Sequence, residues 1–399
     1  MSDKEFNETL KLTRHALLIS GIKISNKTKN KALEYFINHY LFYCNFIALY
    51  TVIFGETYWV VAGIRNRLPF VELSLISPCI TISILSTIKT WFLFINKGIL
   101  LNVVERLKAI QPIVNNDVLD KTDAIKRKIV RDSMKLLKFV HVSLMTVYIF
   151  VFTTFCFSPA LLSSYNYFKT GEFACVYPYQ VKYFFEVYKS SLWFVVYVHQ
   201  VWATAIVIFS VYGCDTLFCA LCVYIKMHFR LLGLQFENAV STSINETRKN
   251  LGKAVLRHQE LIDLVNQMEV LFSKSSLFNM VTSSILICLS AFNITVADEM
   301  RFILAFITFL MMSLSQISLV CYFADLLMIS SIEISDSVYK CPWYEADEDS
   351  KRTILFVILR SHKACRLTAW KFADLNLGAF TTILSRSWSY FALLKTVYK

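Results

Sequence analysis

Glycine and proline are scarce, nine and six in 399 residues. That leaves little material for a turn-rich β-chain and favours long helices. Charge is scarce too: Asp, Glu, Lys and Arg make up 18%, against about 25% in an ordinary soluble domain. With 56% hydrophobic residues, 33 Phe and 20 Tyr, the chain is too apolar for a soluble domain and too aromatic for disorder. Motifs of chemistry are missing. There is no Gly-x-x-x-x-Gly-Lys-Ser/Thr loop, no Gly-x-Gly-x-x-Gly and no His-Glu-x-x-His. Among eleven cysteines, Cys219 and Cys222 form one Cys-x-x-Cys spacing, at the end of an apolar run rather than in a paired knuckle. No enzyme chemistry, metal or cofactor is therefore assigned. Residues 1–30 hold no apolar core of signal-peptide kind, and no lipid-anchor motif is expected at the other end.

What is present is a series of apolar runs. A membrane-crossing helix needs about 20 mainly apolar residues. Runs at 36–55, 73–88, 139–168, 190–214, 275–297 and 302–324 meet that length, the second with an apolar shoulder beyond Lys89. A weaker seventh, 375–394, is broken by Arg386. Strict alternation is absent, so a membrane β-barrel is not expected. The expected fold is all-α and polytopic, with seven transmembrane helices.

The net charge of +12 is a matter of position. Segments 1–32, 97–128, 226–274 and 330–377 each hold seven Lys or Arg, 28 together. The alternate segments 60–69, 159–189 and 298–301 hold six. Positive residues stay cytoplasmic, so the amino terminus is inside and the carboxyl terminus outside. This excludes nucleic acid as the partner of the basic charge and makes membrane lipid the surrounding medium. A receptor signalling through G proteins is the alternative seven-helix reading. Its amino terminus would lie outside, and neither an Asp-Arg-Tyr-like end nor an Asn-Pro-x-x-Tyr turn occurs.

Between the spans, Leu251, Val255, Leu261, Ile262, Val265, Met268 and Leu271 keep helical spacing. The fourth and fifth spans are expected to continue into the cytoplasm as amphipathic helices, either a solvated hairpin or a packing surface between subunits. Phe6, Leu10, Ala16, Leu17 and Ile19 among Lys11, Arg14 and His15 give an interfacial or an ordinary cytoplasmic helix. His141 and His199 sit in apolar runs, where a satisfied buried imidazole is the plain reading. Cys156 and Cys175 lie towards the outer side and are a candidate disulfide whose geometry sequence cannot supply. Glycosylation-type triplets begin at Asn7, Asn26, Asn245 and Asn293. The first three are cytoplasmic in this topology, and the fourth is too near the membrane.

The carboxyl-terminal text is the most specific. A Trp343–Tyr344 pair is followed by a basic-apolar helix ending Leu359-Arg360-Ser361, then by Arg386-Ser387-Trp388-Ser389-Tyr390-Phe391-Ala392-Leu393-Leu394. This resembles the terminal signature of insect odorant receptors. Ser389, and the lack of Gln-Phe after Tyr390, set it apart from the related gustatory receptors. No long cytoplasmic insertion of co-receptor type is present, so the chain resembles an odour-tuning subunit.

The resemblance implies a ligand-gated, poorly selective cation channel in the plasma membrane of olfactory neuron dendrites. It implies a hetero-tetramer with the odorant receptor co-receptor around a pore lined by the last helix, and a small volatile odorant as ligand. Residues 1–330 would then form a six-helix bundle with the odorant pocket in its outer half. Residues 331–399 would form an anchor helix and the pore helix. On that last helix Arg386, Tyr390, Leu393 and Val397 share one stripe. Leu393 and Val397 match the family's hydrophobic gate and Thr396 its polar position. Arg386 is costly in hydrocarbon, about 2.5–3.5 kcal/mol, and is expected to face water. The pocket candidates, chosen by depth, are Leu73, Ile76, Tyr148, Phe152, Thr153, Tyr197, His199, Trp202 and Phe292.

Overall fold

The structure, a computed structural model, describes residues 3–24, 35, 40–112, 121–171, 176–183, 185, 190–297 and 300–397. Two short helices, α1 (Asp3–Thr9) and α2 (Lys11–Ile19), precede the long ones. These are α3 (Phe42–Arg65), α4 (Phe70–Ile95), α6 (Lys121–Thr170), α7 (Ser190–Glu237), α8 (Ile244–Val296) and α9 (Met300–Tyr339), with α5 (Lys97–Ala109) between α4 and α6. All six are long and apolar enough to cross a membrane. α10 (Glu348–Ser361), a hairpin of β1 (Thr368–Ala369) and β2 (Ala373–Asp374), and α11 (Leu377–Val397) complete the chain. The 21 residues of α11 reach about 32 Å at 1.5 Å per residue, and α11 is the seventh span. The all-α, seven-helix architecture stands as expected. The expected continuation of the fourth and fifth spans is met by α7, 48 residues, and α8, 53 residues. α6 and α9 are extended in the same way.

Few breakers explain the length of these helices. Where the chain must reverse outside, Asn66, Arg67 and Pro69 appear, Arg67 taking φ 58, and Pro69 then leads into α4. Serine and threonine are admitted to the spans because their hydroxyls bond back to the preceding turn, as Thr81 to the Ser77 carbonyl at 2.7 Å and Thr87 to Ser83 at 2.9 Å. Pro78 lies inside α4. Its missing N–H frees the Ser74 carbonyl, and Asn293 Nδ2 of α8 donates to that carbonyl at 2.9 Å, while Ser74 Oγ donates to Asn293 Oδ1 at 2.6 Å. Asn293 is thereby consumed in the core.

α7 is the axis of the bundle, packed against α9, α6, α2, α4, α8 and α3. The amino-terminal helix docks on it. Phe6, Leu10, Ala16 and Leu17 are buried. The Phe6 and Tyr224 rings lie 4.8 Å apart, and Thr13 Oγ1 donates to Thr216 Oγ1 at 3.0 Å. Gly213 permits the approach, for a Cβ there would sit 2.8 Å from Leu17 Cγ. The apolar stripe read as interfacial or cytoplasmic thus faces protein. The β-hairpin turns through Trp370 and Lys371 at φ 48 and 61. Two contacts on α8 hold this left-handed turn: Trp370 N–H donates to the Ser273 carbonyl at 3.1 Å, and Thr368 N–H to Glu269 Oε2 at 2.7 Å.

Candidate functional site

Beneath the outer ends of the helices lie two adjoining chambers. The outer one, about 530 Å3, is walled by α4, α6, α9 and the segment 176–180, with Trp59 of α3 at its side. The inner one, about 40 Å3, lies deeper among α3, α4, α6, α7 and α9. Cys79, Phe155, Tyr179 and Phe309 border both, so they form the partition between them. A volume of several hundred Å3 with aromatic and aliphatic walls suits a small molecule. Tyr179 closes the inner chamber from the outer loop. Its hydroxyl donates to the Gln200 carbonyl at 3.0 Å, and Thr204 Oγ1 approaches it at 3.5 Å. Loss of solvent around the Tyr179 phenol pushes its pKa well above the usual range, so it remains a neutral donor.

Below the inner chamber a buried polar network ties four helices. Lys89 Nζ of α4 meets Asp215 Oδ1 of α7 at 2.6 Å. Tyr148 of α6 donates to Asp215 Oδ2 at 3.2 Å, and Gln316 Nε2 of α9 donates to the Tyr148 hydroxyl at 2.9 Å. Tyr148 lines the inner chamber, so this network touches the cavity directly. Charged groups at such depth are costly unless paired and hydrogen-bonded. Sequence reasoning took Lys89 as a break in a span and Asp215 as the end of one. The available signal was their matching isolation: one base in the apolar stretch of α4 and one acid in that of α7.

The nine pocket candidates divide by face. Ile76 borders the outer chamber and Tyr148 the inner one. Phe152 borders a separate apolar cleft against α2. Leu73 packs against Gly63, and Phe292 is buried beside the Phe70 ring. The Tyr197 hydroxyl donates to the Cys156 carbonyl. His199 is held by Thr51 and by the Tyr183 hydroxyl, each at 3.1 Å. Thr153 and Trp202 are exposed on the outer faces of their helices. Glu56, Cys79, Phe155, Tyr179 and Phe309 are wall residues that depth alone did not select. His141 is buried, with Nδ1 3.3 Å from the Tyr212 hydroxyl. Cys156 is a buried thiol, while Cys175 and Asn26 lie outside the described residues.

On α11, Ile383 and Ser387 face α8 and α9, with Ser387 Oγ 3.0 Å from Ser284 Oγ. The stripe Arg386, Tyr390, Leu393 and Val397 points away from the chain's own bundle and is exposed, as is Thr396. The basic-apolar helix α10 likewise exposes Leu355, Phe356 and Leu359. At its start Arg248 of α8 grips Asp347 at 2.5 Å. Hydrogen bonds from Arg248 and Ser350 lower the Asp347 carboxyl to about 2.

Seven helices with the amino terminus inside and a lined cavity under the outer loop define a polytopic membrane receptor. The family model described as 7tm Odorant receptor matches residues 70–387, and the chain belongs to that family. Odorant receptor 85c of Drosophila melanogaster is 26% identical over 381 residues, covering 95% of this chain and 96% of its own. Odorant receptor 67c of the same species is 25% identical over 362 residues, covering 89% and 87%. The insect olfactory receptor OR5 from Machilis hrabei has the same fold, with a TM-score of 0.82, 17% identity and 99% of both chains covered. Its structure in complex with eugenol gives 0.81.

Proposed function

We propose that this chain is the odour-tuning subunit of an odorant-gated, non-selective cation channel. It assembles with the odorant receptor co-receptor as a hetero-tetramer in the plasma membrane of olfactory neuron dendrites. The observation that carries the ligand half is the cavity of about 530 Å3 under the outer loop, of which Ile76 and Tyr148 are the candidates that border a chamber. The eugenol complex of the related fold supports an odorant as occupant. The channel half is supported by the exposed face of α11. In this reading Leu393 and Val397 form an apolar constriction that closes by dewetting. Arg386 stands in a wider, hydrated part, and Thr396 is the polar neighbour. The exposed apolar face of α10 is the natural contact for other subunits. By role, 1–330 carries the pocket and 331–399 the anchor and pore helix, although α9 passes residue 330 unbroken.

Whole-cell recording from cells expressing the chain with the co-receptor tests this. Odour-evoked cation current that needs both chains is expected. Surface expression of both without any current across a mixed odour panel would overturn it.

A further inference from the structure

Glu56 is buried in the middle of the apolar helix α3, 1% exposed, and lines the inner chamber. Its Oε2 has no hydrogen-bond partner among the described residues. Asp215, the acid buried nearby in α7, has Lys89 and Tyr148 as partners; among the described residues Glu56 Oε2 has no counterpart of that kind. Lys182, whose backbone N–H bonds the Gly55 carbonyl at 3.2 Å, carries its ammonium over the Tyr58 ring at 5.0 Å instead. A buried acid without a partner is costly, and a ligand that supplies the partner recovers that cost on binding.

The chamber's electrostatics say which ligand. In a chain of net charge +12, the described residues that line the two chambers include two acids, Glu56 and Glu72, and no Lys, Arg or His. Tyr148, Phe155, Tyr179 and Phe309 present aromatic surface around the same space, which also favours a cation. Walls of this kind disfavour carboxylate anions, and an ester or ketone can accept a hydrogen bond here but cannot form an ion pair.

We propose that the cavity is selective for small alkyl amines, the amino group entering the inner chamber beside Glu56 and the tail filling the outer one. The Glu56 carboxyl, uncharged while unpaired at this depth, passes its proton to the amine nitrogen: one O–H bond breaks, one N–H bond forms, and the ammonium and carboxylate remain as a pair. The inner volume of about 40 Å3 suits a head group and no more. This proposal rests on the reading of the cavity as the odorant site.

The test uses n-pentylamine, 1-pentanol and pentanoic acid, which share one tail, on the chain co-expressed with the co-receptor. The amine is expected to act at about tenfold to a hundredfold lower concentration than the alcohol, the range of a charge-assisted hydrogen bond. The acid should be silent. Glu56→Gln should erase the amine preference, bringing the ratio of amine to 1-pentanol sensitivity to about one, and Glu56→Asp should retain part of it. A wild-type receptor that answers 1-pentanol or other neutral odorants but shows no preference for the amine overturns the proposal and spares the odorant-site reading. So does an unaltered amine response in Glu56→Gln. A surface-expressed receptor silent to every odorant overturns both. The wild-type comparison decides even if Glu56→Gln fails to reach the surface.

Discussion

The buried pair Lys89–Asp215 is the sharpest point at which to press the structure. Both side chains are about one-twentieth exposed and meet at 2.6 Å, and Tyr148 adds a second donor to the carboxylate at 3.2 Å. Asp215→Leu removes the counter-charge of Lys89 and the acceptor of Tyr148 together. Breaking a buried pair from one side costs about 3–5 kcal/mol, because the surviving charge stays desolvated. Lys89→Met should cost a similar amount, leaving Asp215 with the Tyr148 hydroxyl alone. Replacing both residues removes both desolvation penalties, and swaps of that kind run from neutral to about 4 kcal/mol stabilising. The double variant should therefore be at least as stable as the better single one, with a coupling of about 3 kcal/mol or more between the sites. Thermal unfolding of the detergent-solubilised receptor, followed by fluorescence-detected size exclusion, reads the order of the four proteins. Two singles that melt with the wild type, or a double as unstable as the sum of the singles, would refute the argument that a charge pair binds α4 to α7. The double variant has a second use. If its stability is intact but odour responses are weaker, the network's contact with the cavity through Tyr148 matters for signalling.

Three further outcomes follow from other parts of the chain. Leu393→Ala with Val397→Ala should raise the basal leak of the co-expressed channel, and unchanged leak with unchanged activation would remove the gate assignment. Gly213→Ala places a Cβ 2.8 Å from Leu17 Cγ and should cost about 1–3 kcal/mol, seen as faster proteolysis of the amino-terminal helix with α6 to α9 still protected. The Asp347 carboxyl is lowered to about 2 by its hydrogen bonds from Arg248 and Ser350. Its contribution is complete above the unfolded carboxylate range and declines as pH falls through about 2, so the α8–α10 contact should show no pH dependence from this group between pH 5 and 8. Hydrogen exchange in α10 across that range checks it, and a loss of protection between pH 6 and 5 would contradict it.

The spans were legible because hydrocarbon demands length and apolarity, and both are written in the sequence. α11 was legible only as the weakest run, because Arg386 and its serines and threonines dilute it. The inward face of each span was much less legible. In α6, Tyr148 and Thr153 sit at similar depth in an almost uniformly apolar stretch, where periodicity gives no contrast between protein and lipid. Tyr148 turns into the bundle and Thr153 out of it. The docking of α2 was hidden for a related reason. Its seat, Ser210, Gly213 and Thr216, is a small-residue strip around the inner end of a span, and only the packed bundle shows what lies on it. The first half of α8 was clearer, since Leu251, Leu261, Val265, Met268 and Leu271 stand out against charged neighbours and are buried.

The most apolar stretch of α7 is almost wholly sheathed by other helices, while those of α3 and α6 lie mostly outward. The membrane's thickness and composition can therefore act on that stretch of α7 only at second hand, through the helices around it. Changes in sterol content or acyl-chain length press first on α3 and α6, both of which wall the inner chamber. The receptor's sensitivity to its host membrane should accordingly appear as altered odour sensitivity before it appears as loss of the folded core.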